Sequence, residues 1–179
     1  MKDQRVLVFF IRRNSDNKIS DVCLAMKRRG FGSGKWNGFG GKVGDKKKET
    51  IKEAACREVF EEMKSRVLPQ DLEKVAEIDF KFDNNPRWVQ VVSVFFTKEW
   101  LGEPEGGEEM ITPKWFKVED IPYAEMWVTD EFWLGMTLKD HKIEGKVSFT
   151  ENGENLKNIT LDIVDRLGEN DEFIERKLS

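Results

Sequence analysis

The chain has 179 residues, 39% hydrophobic and 36% charged, with a formal net charge of −4. Those values suit one globular domain with a sizeable core and a heavily charged surface. They argue against broad nucleic-acid binding, and with no apolar run near the ~20 residues a bilayer requires, no membrane partner is expected.

Residues 4–12 read as a first strand and 21–27 as a second, rich in Val, Leu, Phe and Ile and separated by the turn-forming NSDNKIS. The N-terminal apolar stretch is too short for a secretory leader and has no small-residue cleavage site. A loop at 30–37 leads to a short extended piece near 38–43. A helix is predicted to begin after Thr50, because Thr50 and Glu53 have capping-box spacing, and to run to about Met63, before Pro69. Residues 74–82 and 87–97 pair as a hairpin across DNNP, EPEGGEE at 103–109 is a loop, and KWFKV at 114–118 is another strand.

A second helix is predicted over 130–139, capped by Thr129, with Asp130 and Glu131 in its first turn. Phe132, Trp133, Leu134, Met136 and Leu138 make it apolar nearly all round, so it is expected to be buried. Residues 146–150 and 157–164 form a last hairpin around Asn152-Gly153. The domain is expected over 1–167, with 168–179 a charged tail. Irregular interleaving of strands and helices favours an α+β or α/β sandwich over a doubly wound sheet. Cys23 and Cys56 fall at predicted core positions, which suits buried thiols in a reducing compartment.

The most informative segment is 38–64, GFGGKVGDKKKETIKEAACREVFEEMK, a glycine-rich loop joined to an acidic helix. Glycine carries no side chain to hold a ligand away, so its backbone N–H groups can approach phosphate. Glu58, Glu61 and Glu62 fall within an arc of about 100° on the helix, a hard-oxygen stripe suited to Mg²⁺ or Mn²⁺ rather than zinc. The same glutamates would also serve as the solvated side of an amphipathic helix whose apolar face carries Ile51, Ala55, Val59 and Met63. Two details weigh against that plainer reading. Like charges three and four residues apart repel without a cation between them, and the apolar stripe runs directly beside them. Lys27, Arg28, Arg29, Lys35, Lys42 and Lys46–Lys48 bracket the loop, enough to draw in a small polyanion or merely to be solvated.

This junction resembles the signature of the Nudix hydrolases, G-x5-E-x7-R-E-U-x-E-E-x-G-U, where U is bulky and aliphatic. Gly41 opens it, Glu49 is the first acid, and Arg57 to Glu62 match the REUxEE core. Two extra residues lie between Gly41 and Glu49, and Lys64 and Ser65 replace the closing glycine and aliphatic residue. MKRRGFGSGKWNGFGGKV and PKWFKVEDIPYAEMWVTDEFW extend the similarity to the animal MutT-homologue branch, the oxidised-purine nucleoside triphosphatases. The resemblance implies an α/β/α sandwich around a mixed sheet. It also implies Mg²⁺-dependent hydrolysis of a triphosphate such as 8-oxo-dGTP to monophosphate and pyrophosphate.

Carried over by position, the Gly40 carbonyl, Glu58, Glu62 and Glu109 would ligate magnesium, with Glu61 ligating or accepting a proton from water. Arg57 would hold Glu49 or a neighbouring glutamate in place. Asn37 would face a purine edge, Phe31, Phe80 and Trp127 would flank its ring, and Lys27 would reach a phosphate or sugar oxygen. Gly40 and Gly41 would lie against the substrate. Where the branch places two aspartates after the tryptophan, this chain has Thr129-Asp130, so an altered or narrower base preference is expected.

The resemblance leaves open other Nudix substrates: a methylated purine triphosphate, a dinucleoside polyphosphate, ADP-ribose or an RNA cap. A nucleotide-binding module without turnover also remains open. A cytoplasmic monomer acting on free nucleotides is expected, with mitochondrial or nuclear pools as alternatives.

Overall fold

The computed structural model describes residues 3–30, 32–44, 49–83, 89–108, 110–150 and 155–168. Strand β1, Asp3–Arg13, sets the architecture through its alternation. Val6, Val8 and Phe10 enter one core and Phe9 and Ile11 the other, because successive strand side chains leave opposite faces. Strand β2, Ile19–Met26, divides likewise, with Cys23 and Ala25 on one side and Val22 and Leu24 on the other. Helix α1, Ile51–Met63, closes the first core through Ala54, Ala55, Val59 and Met63. Helix α2, Asp130–Thr137, closes the second through Trp133 and Leu134. The result is the expected α/β/α sandwich.

The sheet is completed by β3 (Trp36–Asn37), β4 (Glu73–Phe82), β5 (Gln90–Thr97), β6 (Lys114–Lys117), β7 (Lys142–Phe149) and β8 (Leu156–Val164). Its order is β3-β2-β1-β5-β4-β7-β8, with β6 also pairing β2. The pairs β1·β5 and β4·β7 are parallel and the rest antiparallel, so the sheet is mixed.

One pairing prepares the site. β2 meets β1 from Phe10 onward, which leaves the first half of β1 free on that side. The glycine strip occupies it. Val6 N–H donates to the Gly41 carbonyl at 3.0 Å, Val8 and Phe39 exchange bonds of 2.7 and 2.9 Å, and Val43 N–H donates to Gln4 at 3.0 Å. The extended piece expected at 38–43 is present only as isolated bridges to β1, at Phe39 and Lys42, whereas the strand Trp36–Asn37, which pairs with β2, lies in the stretch expected to be a loop.

Helix α1 begins as expected, with both capping-box bonds made: Glu53 N–H to Thr50 Oγ1 at 3.2 Å and Thr50 N–H to Glu53 Oε2 at 2.7 Å. It ends at Lys64, which takes the left-handed conformation itself (φ 60°), at a cost of about 1–2 kcal/mol where glycine would pay none. Helix α2 departs further from expectation. It stops at Thr137 rather than 139, Phe132 is 48% exposed, and Thr129 makes no side-chain cap bond. A cap residue needs extended backbone to turn its oxygen onto the first-turn N–H groups, whereas Thr129 has helical dihedrals (φ −93°, ψ −14°).

Strand β7 starts at Lys142 rather than 146, because Lys142, Glu144 and Lys146 alternate with the buried Ile143 and Val147. Cys23 is buried, as expected, but Cys56 is only partly so. The Asn152-Gly153 turn, residues 84–86 of DNNP and the tail from 169 lie outside the described residues. Among the described residues no helix is long and apolar enough to cross a membrane.

Candidate active site

Arg57 organises the acidic stripe of α1. Its Nε and Nη2 donate to the two Glu49 oxygens at 3.0 and 2.9 Å. Its Nη1 donates to Glu58 at 2.8 Å and Glu61 at 3.2 Å, and Nη2 also reaches the Lys42 carbonyl at 2.9 Å. The hydrogen bonds to Glu49 hold the guanidinium charged well above its ordinary range, with Glu58 adding and burial opposing. The Arg57 and Glu49 side chains are 8% and 7% exposed, whereas Glu61 is 53% exposed. Glu49 accepts a further bond from Gly44 N–H at 2.8 Å, which ties the loop to the helix.

The stripe meets the glycine strip directly. Gly40 N–H donates to Glu62 Oε2 at 2.9 Å. A Cβ on Gly41 would stand 2.5 Å from the Glu58 carboxylate, and one on Gly40 would collide with the Val6 carbonyl. Only glycine permits this approach at either position. The three carboxylates were expected to form one metal-holding stripe, yet among the described residues no three acidic, cysteine or histidine side chains converge closely enough to hold an ion. Arg57 draws Glu58 and Glu61 to itself, and the Gly40 N–H draws Glu62 to the strip. The donors are all hard oxygens, and with no Cβ on Gly41 the Glu58 carboxylate lies directly against the strip, so the set suits a small divalent ion better than zinc. Glu109, the remaining expected ligand, lies outside the described residues.

On the other face of the sheet, under α2, lies a cavity of about 240 Å³. Lys27, Asn37, Gly40 and Gly41 line it from the β2–β3 side, Phe80 from β4, and Trp127, Thr129 and Asp130 from the entry to α2. The structure thus brings together every expected substrate residue except Phe31, which lies outside the described residues; its neighbour Gly32 is in the wall. Trp127 packs against Gly32, and the Lys35 ammonium sits 5.2 Å from its ring while donating to the Met126 carbonyl at 3.2 Å. Asn37 Oδ1 accepts from Gly38 N–H at 2.8 Å.

Asp130 is the most perturbed acid in the cavity. It is 3% exposed, and burial pushes its carboxyl up to about 7. Bonds from Trp127 N–H (3.2 Å) and Trp133 Nε1–H (3.1 Å), with the Lys35 charge, oppose that rise. Beside it the Thr129 hydroxyl is buried with no hydrogen-bond partner among the described residues. Both groups therefore have hydrogen-bonding capacity left for a ligand edge.

Sequence reasoning missed Arg5, Gln90, Trp133 and Phe149 in the cavity wall. Phe149 stacks 6.3 Å from Phe80 and lies 6.4 Å from Trp127, completing an aromatic enclosure. The odd-numbered face of β1 (Arg5, Leu7, Phe9) was a signal for Arg5, because a charge there shares a face with core residues.

A family model described as the NUDIX domain matches residues 1–133. Mouse oxidized purine nucleoside triphosphate hydrolase is 41% identical over 130 residues, covering 73% of this chain and 80% of its own. The zebrafish protein of the same name is 41% identical over 128 residues, covering 72% and 78%. A MutT protein from Bacillus halodurans shares the fold at a TM-score of 0.72 and 22% identity, covering 89% of this chain and 97% of its own. The REUxEE helix against its glycine strip, the mixed-sheet sandwich and these matches together establish that the chain belongs to the Nudix family, in its animal MutT-homologue branch.

Proposed function

We propose that the chain hydrolyses oxidised purine nucleoside triphosphates to the monophosphate and pyrophosphate. One observation carries this reading: an aromatic cavity with amide, hydroxyl and carboxyl groups opens at the same glycines against which α1 sets its carboxylates. A purine between Phe80 and Trp127 would meet Asn37, Thr129 and Asp130 at its polar edge. The Asn37 amide, with its oxygen already engaged by Gly38, is left to donate. Lys27 stands in the wall for a sugar or phosphate oxygen.

Glu58, Glu61, Glu62 and the Gly40 carbonyl, with Glu109, would hold Mg²⁺ or Mn²⁺. When bound, such an ion supplies charge stabilisation on the phosphoryl oxygens and lowers the pKa of the attacking water. Glu61, the most exposed of the Arg57-bound carboxylates, is our assignment for accepting the water's proton. Arg57 keeps Glu49 and Glu58 in register with the strip.

Thr129 narrows the base preference. A carboxyl pair can shift a proton between its members and so match two different base edges, which one carboxyl beside a hydroxyl cannot do. Pyrophosphate release from 8-oxo-dGTP, 2-oxo-dATP and dGTP, with magnesium present or chelated and Thr129→Asp alongside, tests both points. Expected are metal-dependent release, preference for one oxidised base, and a more even pair of rates in Thr129→Asp. No release from any substrate refutes the activity, and equal efficiency on both oxidised bases in the natural chain refutes the narrowing.

A further inference from the structure

Arg5 has no task in holding a base, yet it lines the cavity and its Nε is buried without a hydrogen-bond partner among the described residues. Asp3, on the same face of β1, is paired instead with Lys42, at 3.3 Å. A guanidinium offers five donors and no acceptor, and a buried N–H left unpaired is costly, so this position favours an incoming anion.

Register fixes where that anion would lie. Arg5 stands beside Val92 of β5 on one side and bridges to Lys42 of the glycine strip on the other. It is the residue of β1 on the cavity face that abuts Gly41–Lys42. The carboxylates Glu58 and Glu62 reach the same strip from the α1 side. A nucleotide with its base at Trp127 and its anhydride at α1 must lead its first phosphate past Arg5. Resting on the activity proposed above, we propose that Arg5 binds the α-phosphate and therefore also retains the monophosphate product. The planar fork of an arginine suits two phosphate oxygens, which a lysine would meet only as a point charge.

The test is calorimetric binding of 8-oxo-dGMP and of 8-oxo-2′-deoxyguanosine, with chelator present, to the natural chain and to Arg5→Met. In the natural chain the monophosphate binds more tightly than the nucleoside. Arg5→Met loses about ten- to hundredfold in monophosphate affinity, the scale of a charge-assisted bond, while nucleoside affinity stays within about twofold. Arg5→Lys falls between. Equal weakening of both ligands, or no change in either, overturns the assignment. Should Arg5→Met melt too low to use, the same affinity ratio in Arg5→Gln decides it. Nucleoside binding with no gain from the phosphate overturns the Arg5 assignment alone, whereas failure of the natural chain to bind either ligand overturns the base pocket as well.

Discussion

Replacing Asp130 by Asn should change how stability depends on pH. The carboxyl moves from an ordinary 3.8 to about 7 on folding, chiefly because burial penalises its charge. Between those values the folded chain holds a proton that the unfolded chain has released. The free energy of unfolding therefore falls as pH rises: the contribution is complete below about 4 and gone above about 7. A rise of about three in pKa, at about 1.4 kcal/mol for each, sets an upper bound of about 4 kcal/mol. Over pH 5 to 7 this is roughly 1 kcal/mol per pH unit.

Urea midpoints at pH 5, 6, 7 and 8 for the natural chain and Asp130→Asn isolate the effect. Contributions from every other group are common to both proteins and cancel in the difference. Asparagine turns its NH₂ toward one of the two donors, Trp127 N–H or Trp133 Nε1–H, which adds an offset that pH does not alter. The expected result is a gap that shrinks steadily as pH rises from 5 to 7. Parallel curves would show that Asp130 folds already ionised, and the reasoning from burial would fail.

Gly41→Ala places a methyl 2.5 Å from the Glu58 carboxylate, so kcat should fall by about a hundredfold, a loss set by displaced catalytic groups; unchanged kcat would contradict the glycine–carboxylate contact. Thr129→Val removes a buried hydroxyl that has no partner, so the ligand-free chain should gain about 1 kcal/mol in a urea melt while losing oxidised-nucleotide affinity. Arg57→Ala leaves Glu49 buried without its guanidinium and should lose about 3–5 kcal/mol by the same melt.

What spacing alone shows is decided within a turn or two: the Thr50–Glu53 box and the helix it starts, which the structure holds. The Arg57–Glu49 pair and the base-pocket residues followed instead from the resemblance to the Nudix signature, and Arg57 does hold Glu49. The Thr129 cap failed although its rule is equally local. Asp130 turns its carboxyl back onto the Trp127 N–H, and its own N–H donates to the Trp127 carbonyl at 2.9 Å. That tight turn gives Thr129 helical dihedrals and leaves its hydroxyl to the cavity. A capping preference is worth about 1 kcal/mol, too little to hold Thr129 extended against these contacts and the packing of Trp133.

The cavity was legible only in part, because it is assembled by register rather than by spacing. A charge near the start of a strand reads as its solvated end. β2 pairs with β1 only from Phe10 onward, so the strip from 39 to 43 borders the first half of β1 and brings Gly40 and Gly41 to the foot of Arg5. Arg5 Nε and Thr129 Oγ1, from separate elements, are both buried without partners among the described residues, and both residues line the same cavity. A fold tolerates such atoms where a ligand supplies the missing bonds. Arg5, beside the glycine strip, and Thr129, at the entry to α2, flank the Phe80–Trp127–Phe149 enclosure, which favours a ligand with an aromatic ring at one end, polar at its outer edge, and an anionic group at the other, the form of a nucleotide.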